Sequence, residues 1–542
     1  MISLSPYNSP TKKHTLGPQA TNSFIDVLSG MSLSTDLQEH GDWARPAPPK
    51  HERRKSIKFQ KLDIREANEP SGRSQIHLFG VTKDGYSILV RVLDFPHYFY
   101  YPAPQGFEEE DLSPLCEYVN ELLLGTGKPV VSEIQLETQT TCVDGRPVEF
   151  LKISLFDHRK MRRVKDIFMS GRCQYRDLFS SPELSYEASI PYFLRFMLDT
   201  NILCMTWLQL PKNEYNVILT AERVSCCQQE VSISLESLRI CHVIDDQEKF
   251  APLRILSFDI ESDLKSNGKF PDPRGEAVIQ IGNMISVHGQ DIPCNRTVFT
   301  LGSCSAISGA HVLSFEDESK MLLAWSHFFL EVDPDVVIGY NITQFDIPYL
   351  LNRAQTLNLH EFPFLGRVRG EVSLNRNIIV QAFPPHSTLG SPQSMAKRQN
   401  TFPDCPGYEG RLLLDVYFYI REHYPQRVGS KFKGSLKLNA VAKDFLQDTK
   451  EDVDHTQIPI LYRGNPDTRR QLALYCLKDA YLPLLLLKKL KCFEQEVRVA
   501  REASVPFNTL RVWRTLKNIA KRYIDAISGV YLAADPQGMR DA

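Results

Sequence analysis

The sequence lacks any C-x-x-C pair. Its 12 cysteines are scattered, and the adjacent Cys226 and Cys227 have no second pair nearby to complete a zinc knuckle. Buried, reduced thiols are expected, with neither a zinc nor an iron–sulfur site. Long hydrophobic runs are missing too. No stretch approaches the ~20 apolar residues of a membrane span. The opening MISLSPYNSPTKKHTLG contains no apolar segment of the kind that forms a secretory signal. An intracellular protein without membrane association is the expectation. Nor does charge of one sign dominate: 63 basic residues face 65 acidic ones, a formal net charge of -2 that points to no particular partner. A nucleic-acid protein of this size is neutral overall when its basic residues cluster along one groove. The 14 histidines stand apart from any Ser or Cys nucleophile motif, so neither Ser–His–Asp nor Cys–His chemistry competes as a reading. No internal repeat is present.

What is present is chain enough, 542 residues, for two to four domains. Residues 1–56 are rich in Ser, Thr, Pro and charge and end in ARPAPPKHERRKS, a composition that buries too little apolar surface to fold and predicts a disordered tail. Within it Lys50, Arg53, Arg54 and Lys55 fit a nuclear import signal and equally a solvated charge run. From Ile57 onward the β-rich runs FQKLDIRE, SQIHLFGVT and YSILVRVLDF alternate with turn residues. Helical patterns follow in DLSPLCEYVNELLLG and SYEASIPYFLRFMLDTN, with a strand around VEFLKISL. An α+β domain over 57–250 is expected. Its basic stretch of Arg159, Lys160, Arg162, Arg163 and Lys165 fits either phosphate contact or an exposed helix face. A second domain, of α/β type over 251–491, opens with the buried-strand pattern LRILSFDIES and closes with strongly helical spacing from Thr468 to Lys491. Residues 383–434 are irregular, and 492–542 read as a helical linker and a loose tail.

Acidic residues in three motifs carry the chemistry. SFDIES holds Asp259 and Glu261, two apart on a predicted strand, so both project from one face. Two carboxylates at the end of a buried strand are costly unless paired or metal-bound. GYNITQFDIPYL holds Asn341, Phe345 and Asp346 near the start of a helix. Asp346 alone fits a helix cap, Asn341 a turn residue, and Phe345 either core or a wedge against a terminal base. YCLKDAYLP holds Tyr475 and Asp479, four apart on a helix and therefore on one face. Each motif is weak alone; their conjunction, each on its expected element, points to a carboxylate cage for two divalent metals. Oxygen ligands suit two Mg²⁺ or Mn²⁺ rather than zinc. Such a pair, about 3.5–4 Å apart, cleaves a phosphodiester by in-line displacement. Asp259 fits a bridging ligand, Glu261 and Asp479 the metal on the nucleophile's side, Asp346 the other metal, and Tyr475 the attacking water.

These motifs, with PDVVIGYNITQFDIPYL and TRRQLALYCLKDAYLPLLLLKKL around them, resemble the exonuclease domain of family B DNA polymerases, the delta type above all. LKLNAVAKDFL, SYEASIPYFLRFMLDTNI and LFGVTKDGYSILVRV extend the resemblance from about residue 57 to Leu510. It implies a ribonuclease-H-like exonuclease domain behind a family B amino-terminal domain. It implies 3′-to-5′ removal of misincorporated nucleotides from single-stranded or frayed 3′ DNA ends, in the nucleus, among replication-complex subunits. Asp259, Glu261, Asp346 and Asp479 fall on the family's metal ligands, Tyr475 on its water-orienting tyrosine, and Asn341 and Phe345 on positions that touch the primer end. The sequence departs from the family in two places. Residues 383–434 are less patterned, which leaves the strand-separating hairpin open. After SVPFNTL the pattern stops, and no D-x-x-S-L-Y-P-S, K-K-x-Y or Y-G-D-T-D-S of a polymerase palm appears. Polymerisation by this chain is therefore not expected. The alternatives are a non-catalytic DNA-binding or interaction fragment, and a free-standing RNA exonuclease, against which the delta-like amino-terminal segments speak.

Overall fold

The computed structural model describes residues 24–30, 43–48, 55–123, 128–141, 147–179, 183–239, 242–244, 249–264, 271–362, 364–370, 408–424, 436–448, 456–510 and 531–532. Of the stretch 383–434, expected to be irregular, residues 408–424 are described and form a strand and a helix. The rest, where the strand-separating hairpin is left open, lies outside the described residues, as do Lys50, Arg53, Arg54 and most of the carboxyl-terminal tail. Among the described residues no helix is long and apolar enough to cross a membrane.

A short helix α1, Phe24–Gly30, precedes the first strands. Strands β1 (Ile57–Asn68), β2 (Ser74–Thr82), β3 (Ser87–Leu93), β4 (His97–Pro102), β5 (Val131–Thr141) and β6 (Pro147–Leu155) follow, with β7 (Trp207–Leu210), β8 (Asn216–Val217), β9 (Gln229–Ser234) and β10 (His242–Ile244). They form a sheet of order β10-β7-β1-β2-β3-β9-β8 and a smaller one containing β5-β6-β4, whose edge pairs with β17 (Tyr531–Leu532). Register explains the core. Ile64, Leu78 and Val90 stand opposite one another across β1, β2 and β3, as do Arg65, His77 and Arg91 one residue on. The apolar row is buried with Phe193, Phe196 and Met197 of the helix Tyr192–Thr200, and the polar row takes the other face. Helices α2 (Leu112–Leu122), α3 (Met161–Met169), α4 (Tyr192–Thr200) and α5 (Leu235–Arg239) complete this half. On α3, Met161, Val164 and Phe168 are buried while Arg162 and Arg163 are exposed, the amphipathic pattern of a surface helix.

The second half is built on β11 (Arg254–Ser262), β12 (Val278–Val287), β13 (Asn295–Leu301), β14 (His311–Phe315), β15 (Val336–Gly339) and β16 (Leu412–Asp415). Their order is β14-β13-β12-β11-β15-β16. Pairs β11–β12 and β12–β13 are antiparallel, and β11–β15 and β15–β16 are parallel. This is the ribonuclease-H-like arrangement. Helices α6 (Glu318–Val332), α7 (Asp346–Thr356), α8 (Val416–His423), α9 (Leu438–Leu446), α10 (Ile458–Arg463), α11 (Pro466–Leu490) and α12 (Cys492–Glu502) surround the sheet. Alternation along β11 assigns its faces. Leu256, Phe258 and Ile260 pack with Trp325, Phe329 and Tyr349 from α6 and α7. Ile255 joins the cluster of Ala473, Leu477, Ala480 and Leu484 from α11. That second cluster also holds Leu62, Val81 and Trp207, so both halves share one core.

The disordered tail expected over 1–56 is corrected in two places. Leu28 of α1 is fully buried in the shared core. Residues 43–48 lie against the second half: the Trp43 indole N–H donates to Glu331 (2.7 Å), and its ring packs on Phe328. Averaged composition hid both segments, because one Trp and one Arg suffice to anchor six residues. Arg45 enters a buried ion cluster at the turn between α6 and β15. It donates to Asp335 (2.7 Å) and to the Asp333 carbonyl (2.7 Å). Arg367 joins both carboxylates (2.8 Å to Asp333, 2.7 Å to Asp335), and Arg411 reaches Asp333 (2.7 Å). Despite its burial, the surrounding Arg367, Arg45 and Arg411 hold Asp333 well below the usual carboxylate range.

Asp335→Ala should cost about 3–5 kcal/mol in urea unfolding, because it leaves Arg45 and Arg367 buried without that partner. The depressed Asp333 carboxyl fixes the sign of a second effect. The unfolded chain takes up this proton first, so the stability is fully present above the unfolded carboxylate value near ~4 and is lost as pH falls below it. Wild-type melting between pH 5 and 3 reads this loss, and an acid slope unchanged in Asp333→Asn would assign it elsewhere.

Candidate active site

The site forms where β11 meets α11. Asn465 caps α11 by accepting from the backbone N–H groups of Asp467 (2.9 Å) and Thr468 (3.0 Å), and Pro466 occupies the first turn, where no N–H is needed. The helix then runs 25 residues with its apolar stripe on the sheet. Odd-numbered residues of β11 face this helix, so Asp259 and Glu261 point toward it. One donor atom each from Asp259, Glu261 and Cys476 lie within 4.8 Å of one another. The buried Cys476 thiol is pushed well above its ordinary value, first by burial and then by the negative charge of Asp259, Glu261 and Asp479. Asp479, itself buried, therefore shares this pocket.

Asp346 reaches the same place from the start of α7. It is 2% exposed and accepts from the Ile260 backbone N–H (3.1 Å), between the two acidic positions of β11. Its carboxyl is pushed up to about 7, first by burial, partly offset by backbone hydrogen bonds, and then by the charges of Asp415 and Asp479. The structure thus brings Asp259, Glu261, Asp346 and Asp479 together from three distant segments. The donor set is hard oxygen around a neutral thiol, and the named charges acting on Asp346 are both negative. Such a site fits divalent cations that take oxygen ligands.

Tyr475, one turn before Asp479, is half-buried at the edge of the α6–α7 core cluster. Asn341 adopts a left-handed conformation (φ 67°) in the turn after β15, and its buried side-chain oxygen has no hydrogen-bond partner among the described residues. Phe345 is half-buried against Tyr349, with ring centroids 5.5 Å apart. Both flank the carboxylates from the β15–α7 connection. Sequence reasoning missed Asp415, which organises this connection. Its carboxylate accepts from the N–H of Asn341 (2.8 Å) and from the N–H and hydroxyl of Thr343 (3.0 and 2.8 Å). It also caps α8 through Tyr417 N–H (3.1 Å). The available signal was RLLLD, an apolar strand ending in a carboxylate, as LRILSFD does.

Asp346→Asn should stabilise the metal-free protein at pH 8 by a few kcal/mol. The folded carboxyl holds its proton more tightly than the unfolded one, so the wild type loses stability as pH rises from about 4 through 7, and the amide does not. Thermal melting in chelator across that range should show the gain growing with pH. A gain equally large at pH 4 would assign it to packing instead of charge.

Residues 183–441 match the family model described as DNA polymerase family B, exonuclease domain. The DNA polymerase delta catalytic subunit of Schizosaccharomyces pombe is 37% identical over 510 residues, covering 92% of this chain and 45% of that protein. The delta catalytic subunit of Bos taurus is 36% identical, covering 90% and 44%. The chain spans less than half the length of these relatives. The fold is similar to that of the family B DNA polymerase of Pyrobaculum calidifontis, with a TM-score of 0.54 at 20% identity, covering 84% of this chain and 48% of that one. Residues 183–441 thus match a family B DNA polymerase exonuclease domain, and the chain over about nine-tenths of its length is similar to delta-type catalytic subunits, of which it spans less than half.

Proposed function

We propose that this chain is a 3′-to-5′ DNA exonuclease, the proofreading portion of a delta-type replicative polymerase. The observation that carries this reading is the convergence of Asp259, Glu261, Asp346 and Asp479, with the Asp346 carboxyl pushed up first by burial and then by its acidic neighbours. Holding these acids together is costly for the protein alone and is offset when cations share the site. When bound, two Mg²⁺ or Mn²⁺ would acidify the attacking water and neutralise charge on the departing 3′ oxygen. Asp259, Glu261, Asp346 and Asp479 would hold these ions, Glu261 and Asp479 serving the activation of the water and Asp346 the stabilisation of the leaving group, with Asp259 serving both. The Tyr475 phenol orients the water. Asn341 and Phe345 receive the terminal nucleotides, the amide through its unsatisfied oxygen and the ring by stacking against a base. Burial of Asp346 and Glu261 limits water access, which strengthens each electrostatic contact at the reacting phosphate. The substrate is a single-stranded or frayed 3′ end of DNA in the nucleus, alongside other replication subunits.

On a 5′-labelled single strand with Mg²⁺, the purified chain should give a 3′-to-5′ ladder. Asp259→Ala/Glu261→Ala should abolish the ladder without lowering the melting temperature, since the change also removes repulsion. Tyr475→Phe should slow cleavage ~10- to 100-fold, well short of the double variant. A folded wild type that binds the strand yet never cleaves it would favour the alternative, a non-catalytic DNA-binding fragment.

A further inference from the structure

Cys476 lies between Tyr475 and Asp479 on α11, and the roles above leave it unused. It is fully buried. Its Sγ accepts from the Gly282 backbone N–H at 3.1 Å, and its thiol lies 3.4 Å from the Asp259 carbonyl oxygen and 3.9 Å from Asp259 Oδ2. Gly282 stands directly opposite Asp259 in the β11–β12 ladder. One sulfur therefore touches both strands at the rung that carries a catalytic carboxylate. The approach is close enough to need glycine. A Cβ at residue 282 would come within 2.8 Å of the Cys476 carbonyl oxygen and 3.0 Å of its sulfur.

We propose that Cys476, docked on Gly282, is a positioning residue that sets how closely α11 sits on the β11–β12 ladder, and so how far Asp479 and Tyr475 stand from Asp259 and Glu261. The inference rests on the metal-cage reading above. Magnitudes support it. Restoring ordinary contact of 3.4 Å from 2.8 Å requires α11 and β12 to separate locally by 0.6 Å. Ligand distances to a small divalent cation tolerate only about 0.2 Å. A displacement that costs little in packing is thus large for the site. Losing the sulfur acts similarly: it removes the joint that holds strand and helix in register, while Leu477 and Ala480 still pack the helix on the sheet.

The test titrates Mn²⁺ into DNA-free protein, read by electron paramagnetic resonance, beside the melting temperature and the kcat and KM for a single-stranded oligonucleotide. Cys476→Ala and Gly282→Ala should each weaken Mn²⁺ binding ~10- to 100-fold. Both should lower kcat and leave KM for the strand unchanged. Cys476→Ser should recover most of the affinity, because a hydroxyl accepts from Gly282 N–H and donates to the Asp259 carbonyl. If Gly282→Ala does not fold, the cysteine variants decide alone. Mn²⁺ affinity unchanged in Cys476→Ala, with only the melting temperature lowered, would reduce the residue to core packing and overturn the proposal. So would a serine variant no better than alanine. A wild type that binds no Mn²⁺ would overturn the metal-cage reading itself, and this proposal with it.

Discussion

Like charges held together out of water are the constraint on which this structure turns. Asp259, Glu261, Asp346 and Asp479 repel one another, and burial of the last three raises the cost. Nothing in the four carboxylates favours their meeting in the absence of cations. The remainder of the domain must therefore hold them by packing, which is why β11 carries apolar side chains against α6 and α7 between its acidic positions. Helix α11 brings Asp479 by its own leucine-rich stripe, and α7 brings Asp346 by the turn that Asp415 secures.

That division of labour explains what could be read from the sequence. Parity along LRILSFDIES put Asp259 and Glu261 on one face, and helical spacing put Tyr475 beside Asp479, because both depend on local geometry alone. Fold class followed from the same local patterns, supported by the family resemblance. Asp415 escaped notice because its role is defined by Asn341 and Thr343, more than seventy residues earlier in the chain. Gly282 and Cys476 escaped for the same reason: each is unremarked in its own strand or helix and acquires meaning only where the two meet.

The amino-terminal segments show the opposite failure. Composition over 1–56 is polar, and as an average it argued against a further core. It had no means of registering that Leu28 completes a core built elsewhere, or that Arg45 meets two aspartates nearly three hundred residues away. The shared cluster of Leu62, Val81 and Trp207 with Ile255 and Leu477 likewise joins halves that look like separate domains in sequence.

The ion cluster at Asp333 and Asp335 has a mechanical side. Asp335 immediately precedes β15, and β15 runs straight into the turn at Asn341. Six residues of extended chain span roughly 20 Å. The strand is thus a tie-rod, bolted to the amino-terminal segment by Arg45 at one end and carrying the Asn341 turn beside the carboxylates at the other. Flanked by β11 and β16 and paired on both sides, it has little freedom to bend. A displacement of residues 43–48 would therefore be carried along a stiff strand to the turn beside the carboxylate cluster, roughly 20 Å away.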